Sequence, residues 1–166
     1  AGLNWIYLAF NVRPRDLRAA FQGCRALQVR GLNITIPHKQ AIIPLLDELS
    51  EEARLMGAVN TVHFVEGKAK GYNTDGRGFV AALREGKGFS LRGKKICLIG
   101  AGGAGRAVAL QAARQGASRI FISDLDHSRA KKVAFEINQI VKNQPARERV
   151  IGNPEGKEAL AQADLV

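Results

Sequence analysis

Cysteine appears only twice in the 166 residues, as Cys24 and Cys97, and methionine and tryptophan once each. Two thiols build no disulfide framework, one falling in a helical pattern and the other inside an apolar run. They share no ligand spacing with the scattered His38, His63 and His127, so no metal is expected. Aromatic residues make up 6% of the chain and are not interleaved with the basic ones. The excess of 25 Lys and Arg over 15 Asp and Glu, a net charge of +10, is spread along the chain. Anionic small molecules account for that sign without an arginine-rich tract, and no nucleic-acid partner is expected. No apolar run reaches the length of a membrane span and no signal peptide is visible, so a cytoplasmic protein without a membrane partner is expected. Repeats and low-complexity tracts are lacking as well.

What is present centres on Lys95 to Arg106, KICLIGAGGAGR. Ile96 to Gly100 is an apolar, β-branched run of the kind found in buried parallel strands. Gly100, Gly102 and Gly105 follow with the G-x-G-x-x-G spacing, and Ala107 to Leu110 can continue as a helix. A Cβ would obstruct the tight turn and hold the backbone away from a pyrophosphate, whose place is on the free N–H groups of the helix start. Gly100, Ala101, Gly102, Gly103, Ala104 and Gly105 are therefore candidate cofactor contacts. A second strand, Arg119 to Ser123, ends at Asp124, 24 residues after Gly100. A carboxylate there accepts from a ribose 2′-hydroxyl and repels a 2′-phosphate, which reads as NAD rather than NADP.

The remaining chain divides into a domain over residues 1–87 and a dinucleotide-binding domain over 88–166. Asn4 to Val12, rich in aromatic and β-branched residues, is expected as a strand. An amphipathic helix from Arg15 to Gln28 follows, closed by Gly31, and Leu32 to Ile36 forms a second strand, giving an opening βαβ unit. Lys39 to Leu49 has a helical pattern kinked at Pro44. Ser50 with Glu51 and Glu52 marks the start of a short helix to Met56. Asn60–Val65 and Lys68–Tyr72 read as a hairpin about Glu66 and Gly67, and Arg77–Arg84 as a helix that Asp75 could cap. Gly86 to Leu91 is the expected joint between domains. Ser128 to Val141 carries a clean apolar stripe, Lys142 to Gly156 is polar around a strand near Val150 and Ile151, and Pro154 to Ala161 is a further helix. Asp164 to Val166 begins another strand. The abrupt opening on Ala1, and a Rossmann half without its mate, point to a chain with both domains incomplete.

Three more blocks complete the pattern: Asn33-Ile34-Thr35-Ile36-Pro37-His38-Lys39, Gly57-Ala58-Val59-Asn60-Thr61 and Asn73-Thr74-Asp75-Gly76. With the GAGGAG turn they resemble shikimate dehydrogenases, closest to the NAD-dependent quinate/shikimate dehydrogenases, in order and approximate spacing over essentially the whole chain. The resemblance implies an α/β protein, an N-terminal βαβ substrate-binding domain followed by a Rossmann-type doubly wound NAD(P)-binding domain. It also implies an oxidoreductase of the shikimate pathway or of quinate breakdown, moving a hydride between NAD(P) and a ring hydroxyl. By the same match Lys39 and Asp75 act together at the reacting hydroxyl, while Asn33, Thr35, Asn60 and, in quinate-using relatives, Tyr7 contact the substrate.

Chemistry supports this assignment. An alcohol releases hydride only as its proton leaves, and an amine in hydrogen-bond reach can take that proton. Short polar groups discriminate a polyhydroxylated ring better than apolar ones do. Lys39 sits at the start of a helix, where a cation is disfavoured by the dipole, so structure alone does not recommend it. NADP-preferring members place an arginine soon after the second Rossmann strand, where this chain has Asp124, with Arg129 close behind. NAD is the expected cofactor and NADP the alternative. Other readings are an NADP-linked biosynthetic enzyme, a silent dinucleotide-binding module, a basic RNA-binding domain, and an enzyme of folate one-carbon units. A homodimer is the oligomer these readings admit.

Overall fold

The computed structural model describes residues 2–141, 150–152 and 156–166, and its elements form two sheets. The first is mixed, with strands β1 (Gly31–Asn33), β2 (Glu48–Leu49), β3 (Thr61–Val65) and β4 (Lys68–Tyr72) in the order β1-β3-β4-β2. β3 and β4 pair antiparallel about the Glu66-Gly67 turn, β1 lies antiparallel to β3, and β2 runs parallel to β4. Helix α1 (Leu17–Ala26) covers this sheet because Leu17 and Phe21 fall one turn apart on its apolar face. Phe21 meets Phe64 of β3 with ring centroids 5.5 Å apart, and Ile42, Val59, Val62 and Ala69 complete this core.

Two expectations for this half fail. Residues 4–12 form no strand and are exposed up to 11, so the opening βαβ unit is not made. Apolar and β-branched composition favours a strand only where a neighbour takes up its N–H and C=O groups, and no described strand lies beside these residues. The helix expected over Lys39–Leu49 is broken as well. Helix α2 (His38–Ala41) stops after one turn, a 3₁₀ turn takes in Ile43–Leu45, and β2 follows. Pro44 has no N–H to extend the ladder of α2 and starts the tighter turn instead. The signals around Ser50 hold: its Oγ accepts from Ala53 N–H at 3.2 Å and opens α3 (Glu51–Met56).

The second sheet is parallel, with β5 (Lys95–Ile99), β6 (Arg119–Ser123) and β7 (Val150–Gly152) in that order. Leu165 bridges to Ile96 on the free side of β5. Strand order therefore reverses at β5, the switch point at which open α/β sheets bind ligands beyond their strand ends. Helix α5 (Gly103–Arg114) links β5 to β6, and α6 (His127–Ile140) follows β6. α7 (Gly156–Gln162) precedes the last residues, and the polar stretch expected from Lys142 lies, up to 149, outside the described residues. Ile96, Leu110, Ile120, Ile122 and Ile137 are fully buried here, each contributing about 1.5–3 kcal/mol by burial.

Helix α4 (Asp75–Lys87) joins the halves and is longer than expected, ending at Gly88. The joint expected over Gly86–Leu91 is correspondingly short, and Leu91 is already in the second core. Met56 and Ala58 of the first half belong to that core too, with Leu55, Val80 and Leu83 packed against it. The two sheets thus share a continuous apolar contact made by α3, α4 and α5.

Candidate active site

Asp75 opens α4 immediately after β4, yet its carboxylate does not cap the helix. Oδ2 accepts from Lys39 Nζ at 2.8 Å and Oδ1 from Asn60 Nδ2 at 2.6 Å. The side chains of Lys39 and Asp75 retain 23% and 25% of their accessible surface, so a small molecule can reach the pair. Lys39 is delivered by α2 just after β1, and its carbonyl accepts from Val59 N–H at 2.8 Å. The Asn60 carbonyl accepts from Ile34 N–H at 2.8 Å. Backbone bonds thus place the three expected groups, Lys39, Asn60 and Asp75, at one corner.

Two neighbours that were not singled out help to hold it. The Thr74 hydroxyl accepts from Asn60 Nδ2 at 3.0 Å, and Thr74 N–H donates to Asn60 Oδ1 at 3.1 Å. Buried Asn73 donates through Nδ2 to the Ala58 carbonyl at 3.1 Å and accepts from Asp75 N–H at 3.2 Å. Both stand in the N-T-D-G block, so their signal was present in its wording. His38, which precedes the lysine, lies 2.8 Å through Nε2 from the Val12 carbonyl and ties α2 to the opening segment. Asn33 lies opposite Thr61 in the β1–β3 ladder, and Thr35 follows two residues on, both exposed beside this corner. Tyr7 is not brought there by any strand: it is 78% exposed in the irregular opening segment. The strand that would have aimed its ring is missing for the pairing reason given above.

The glycine turn follows β5. Gly100 takes φ +110°, a conformation L side chains rarely adopt, and a Cβ on Gly105 would collide with the Gly100 carbonyl. Gly102 is the N-cap of α5 and makes no side-chain cap, and the first amides of a helix have no acceptor within it. Such a turn fits the pyrophosphate of a dinucleotide, with Gly102, Gly103, Ala104 and Gly105 around it. The Ala101 N–H is already engaged, donating to Asp124 Oδ2 at 2.7 Å. Asp124 Oδ1 accepts from Asp126 N–H at 2.9 Å. Those two amides, Ala101 first, hold the Asp124 carboxyl below its ordinary range. Arg129 stands 3.9 Å from Asp124 and 3.5 Å from Asp126, with about half its surface exposed.

The helices that carry the two centres, α4 and α5, meet in a close contact. Gly76, next to Asp75, lies against the backbone of Ala107, one turn into α5 from the glycine turn. Arg106 Nη2 donates to the Leu55 carbonyl of α3 at 2.7 Å, and Arg114 of α5 pairs with Glu51 at 2.8 Å. Nothing in the spacing of the sequence marked Arg106 for this role. Among the described residues, no cluster of His, Cys, Asp or Glu is placed to hold a metal ion, and no helix is long and apolar enough to cross a membrane.

Several known proteins are similar to this chain. Residues 1–62 match the family described as shikimate dehydrogenase substrate binding domain. A shikimate dehydrogenase (NADP(+)) of Methanopyrus kandleri is 47% identical over 167 residues, which cover 99% of this chain and 57% of that protein. A shikimate 5-dehydrogenase of Listeria monocytogenes, solved with shikimate and NAD, superposes with a TM-score of 0.83 at 36% identity, over 98% of this chain and 57% of the other. The quinate dehydrogenase of Corynebacterium glutamicum, solved with NAD, gives 0.79 at 40% identity, over 90% and 53%. The chain thus spans little more than half the length of these relatives.

Proposed function

Because this chain belongs to the shikimate dehydrogenase family, we propose that it supplies the proton-handling and dinucleotide-binding parts of an oxidoreductase. The reaction moves a hydride between a nicotinamide cofactor and a ring hydroxyl of shikimate or quinate, giving 3-dehydroshikimate or 3-dehydroquinate. Residues 1–87 form the substrate half and 88–166 the cofactor half. The observation that carries this reading is the Lys39 Nζ to Asp75 Oδ2 contact of 2.8 Å, with Asn60 on the other carboxylate oxygen. A donor and an acceptor meet at one accessible point, so a hydroxyl inserted there is gripped by both and hands its proton to the pair as the hydride departs. Asn60, Asn33 and Thr35 offer short polar groups to the remaining hydroxyls. The nicotinamide, when bound, supplies the hydride acceptor. This chain's part is to orient it, through the glycine turn and the end of β6, on the side of the pair where α4 meets α5.

NAD is the proposed cofactor, since the Asp124 carboxylate at the end of β6 suits a ribose 2′-hydroxyl and opposes a 2′-phosphate. Two observations favour NADP as the second reading. Arg129 lies beside Asp124 and can offset its charge, and the Methanopyrus kandleri relative is named for NADP(+). A reducing cytoplasm suits the free thiols of Cys24 and Cys97. Steady-state oxidation of shikimate and of quinate by the intact protein, each with NAD and with NADP, tests the proposal. Turnover of either alcohol, with the higher kcat/KM on NAD, is expected. No turnover of either alcohol with either cofactor would overturn the reaction, and a higher kcat/KM on NADP would overturn the cofactor choice alone.

A further inference from the structure

The residue after Asp75 governs how closely the two halves approach. A Cβ built on Gly76 would lie 2.6 Å from the Ala107 carbonyl oxygen, 3.1 Å from its carbon and 2.6 Å from Gln111 Cγ. Gln111 can swing aside, but the carbonyl belongs to the backbone of α5, so only separation of the helices would make room. Gly78, two residues on in the same helix, has nothing within 4 Å of the corresponding position. Within α4 the tight spot is therefore specific to the residue beside the candidate catalytic carboxylate.

A second path runs parallel to this contact. Asp75 N–H donates to Asn73, Asn73 donates to the Ala58 carbonyl, and the Ala58 Cβ is 3.9 Å from the Cβ position of Gly103, the first residue of α5. Arg106 closes the arrangement from below, bonding the Leu55 carbonyl at 2.7 Å while Nη1 pairs with Glu136 of α6 at 2.5 Å. We infer that Gly76, backed by Arg106, is a positioning residue: its missing side chain sets the distance between the Lys39–Asp75 pair and the glycine turn. The inference rests on the reaction proposed above. Hydride transfer needs reacting atoms about 3–3.5 Å apart, and a misplacement of about 1 Å can cost roughly 100-fold in rate.

The test compares Gly76→Ala, Gly78→Ala, Arg106→Lys and Lys39→Met in the intact protein. The readouts are kcat, substrate KM, cofactor Kd by fluorescence, and the primary isotope effect with the C-deuterated alcohol. Gly76→Ala is expected to lower kcat by about 100-fold and raise the isotope effect, with KM and Kd within roughly threefold of the parent. Gly78→Ala is expected within about twofold throughout. Gly76→Ala turning over at the parental rate would overturn the inference. So would a fall in kcat matched by weaker cofactor binding at unchanged isotope effect, which is what a merely structural glycine would give. If Gly76→Ala does not fold, Arg106→Lys decides, because it shortens the reach to the Leu55 carbonyl. A lowered kcat with a raised isotope effect is then expected, and parental values overturn the inference. Lys39→Met separates the layers: if it keeps parental turnover, the reading of the pair fails, whereas a dead Lys39→Met beside a normal Gly76→Ala sinks only the positioning role.

Discussion

Asp75 and Asp124 stand at similar places, each within three residues of the end of a strand, the first opening a helix and the second three residues ahead of one, and both use both carboxylate oxygens. Their partners differ in kind. Asp75 is held by two side chains, Lys39 Nζ at 2.8 Å and Asn60 Nδ2 at 2.6 Å. Asp124 is held by two main-chain amides, those of Ala101 at 2.7 Å and Asp126 at 2.9 Å. Side-chain donors can turn from the carboxylate to a substrate hydroxyl without disturbing the fold, whereas backbone amides cannot leave without moving the turn they belong to. One carboxylate is built for exchange of partners and the other for permanence. Under the proposed reaction, chemistry falls to the first and recognition of a fixed ligand shape to the second.

The largest effect is expected where partners exchange. Lys39→Met removes the donor from Asp75 while keeping most of the apolar stem, so the corner should fold and lose its proton route. kcat on the preferred alcohol should fall by roughly 10²–10⁴-fold, with a much smaller change in substrate KM. Near-parental turnover would erase the distinction between the two carboxylates.

Asp124→Asn probes the permanent one. The amide side chain still offers an oxygen to Ala101 N–H, so the turn should persist, while the charge that opposes a 2′-phosphate is gone. The kcat/KM ratio of NAD to NADP should fall by about tenfold, the scale of a single charge contact. An unchanged ratio would mean that Arg129, 3.9 Å away, already cancels the carboxylate in the parent.

How much of this could be read from residues alone follows the same division. The glycine turn was legible because its requirements are local: φ +110° at Gly100 and a contact at Gly105 that tolerates no Cβ. The Ser50 cap and the Glu66-Gly67 hairpin were legible for the same reason. Asp75 meets Lys39 across 36 residues, and the spacing of neither residue encodes that contact. It was reached through resemblance of whole blocks, and β1, α2 and β4 then bring the ends together. Asn4–Val12 carries strand-forming composition but forms no strand, because such composition specifies one only where a ladder exists to receive it. Lys39–Leu49 kept a helical pattern of apolar residues through Pro44, yet the missing N–H diverted the backbone into a 3₁₀ turn and then β2. Close approach of Gly76 to Ala107 is a tertiary fact, and a glycine in a helix carries no mark of which neighbour it admits.

The smallest effect concerns what permanence contributes to stability as pH changes. The Ala101 amide first, and the Asp126 amide next, hold the Asp124 carboxyl below its ordinary value of 3.8. A carboxyl whose pKa is depressed by folding stabilises the native state fully above its unfolded value, and that contribution is lost as pH falls through the folded one. Thermal unfolding of the parent and of Asp124→Asn, followed from neutral pH into acid, should therefore show a gap in Tm at neutrality that closes below pH 3.8. Other carboxyls held low, among them Asp47, Glu48 and Glu52, are present in both proteins and largely cancel in the difference. Because Arg129 is half exposed, salt screens its contact with Asp124, and the gap should survive added salt only to the extent that the amides produce it. A gap that stays constant into acid would show that the substitution acts through packing of the turn and not through charge. A gap abolished by salt at neutral pH would transfer the role from the amides to Arg129, leaving Asp124 as replaceable in its partners as Asp75.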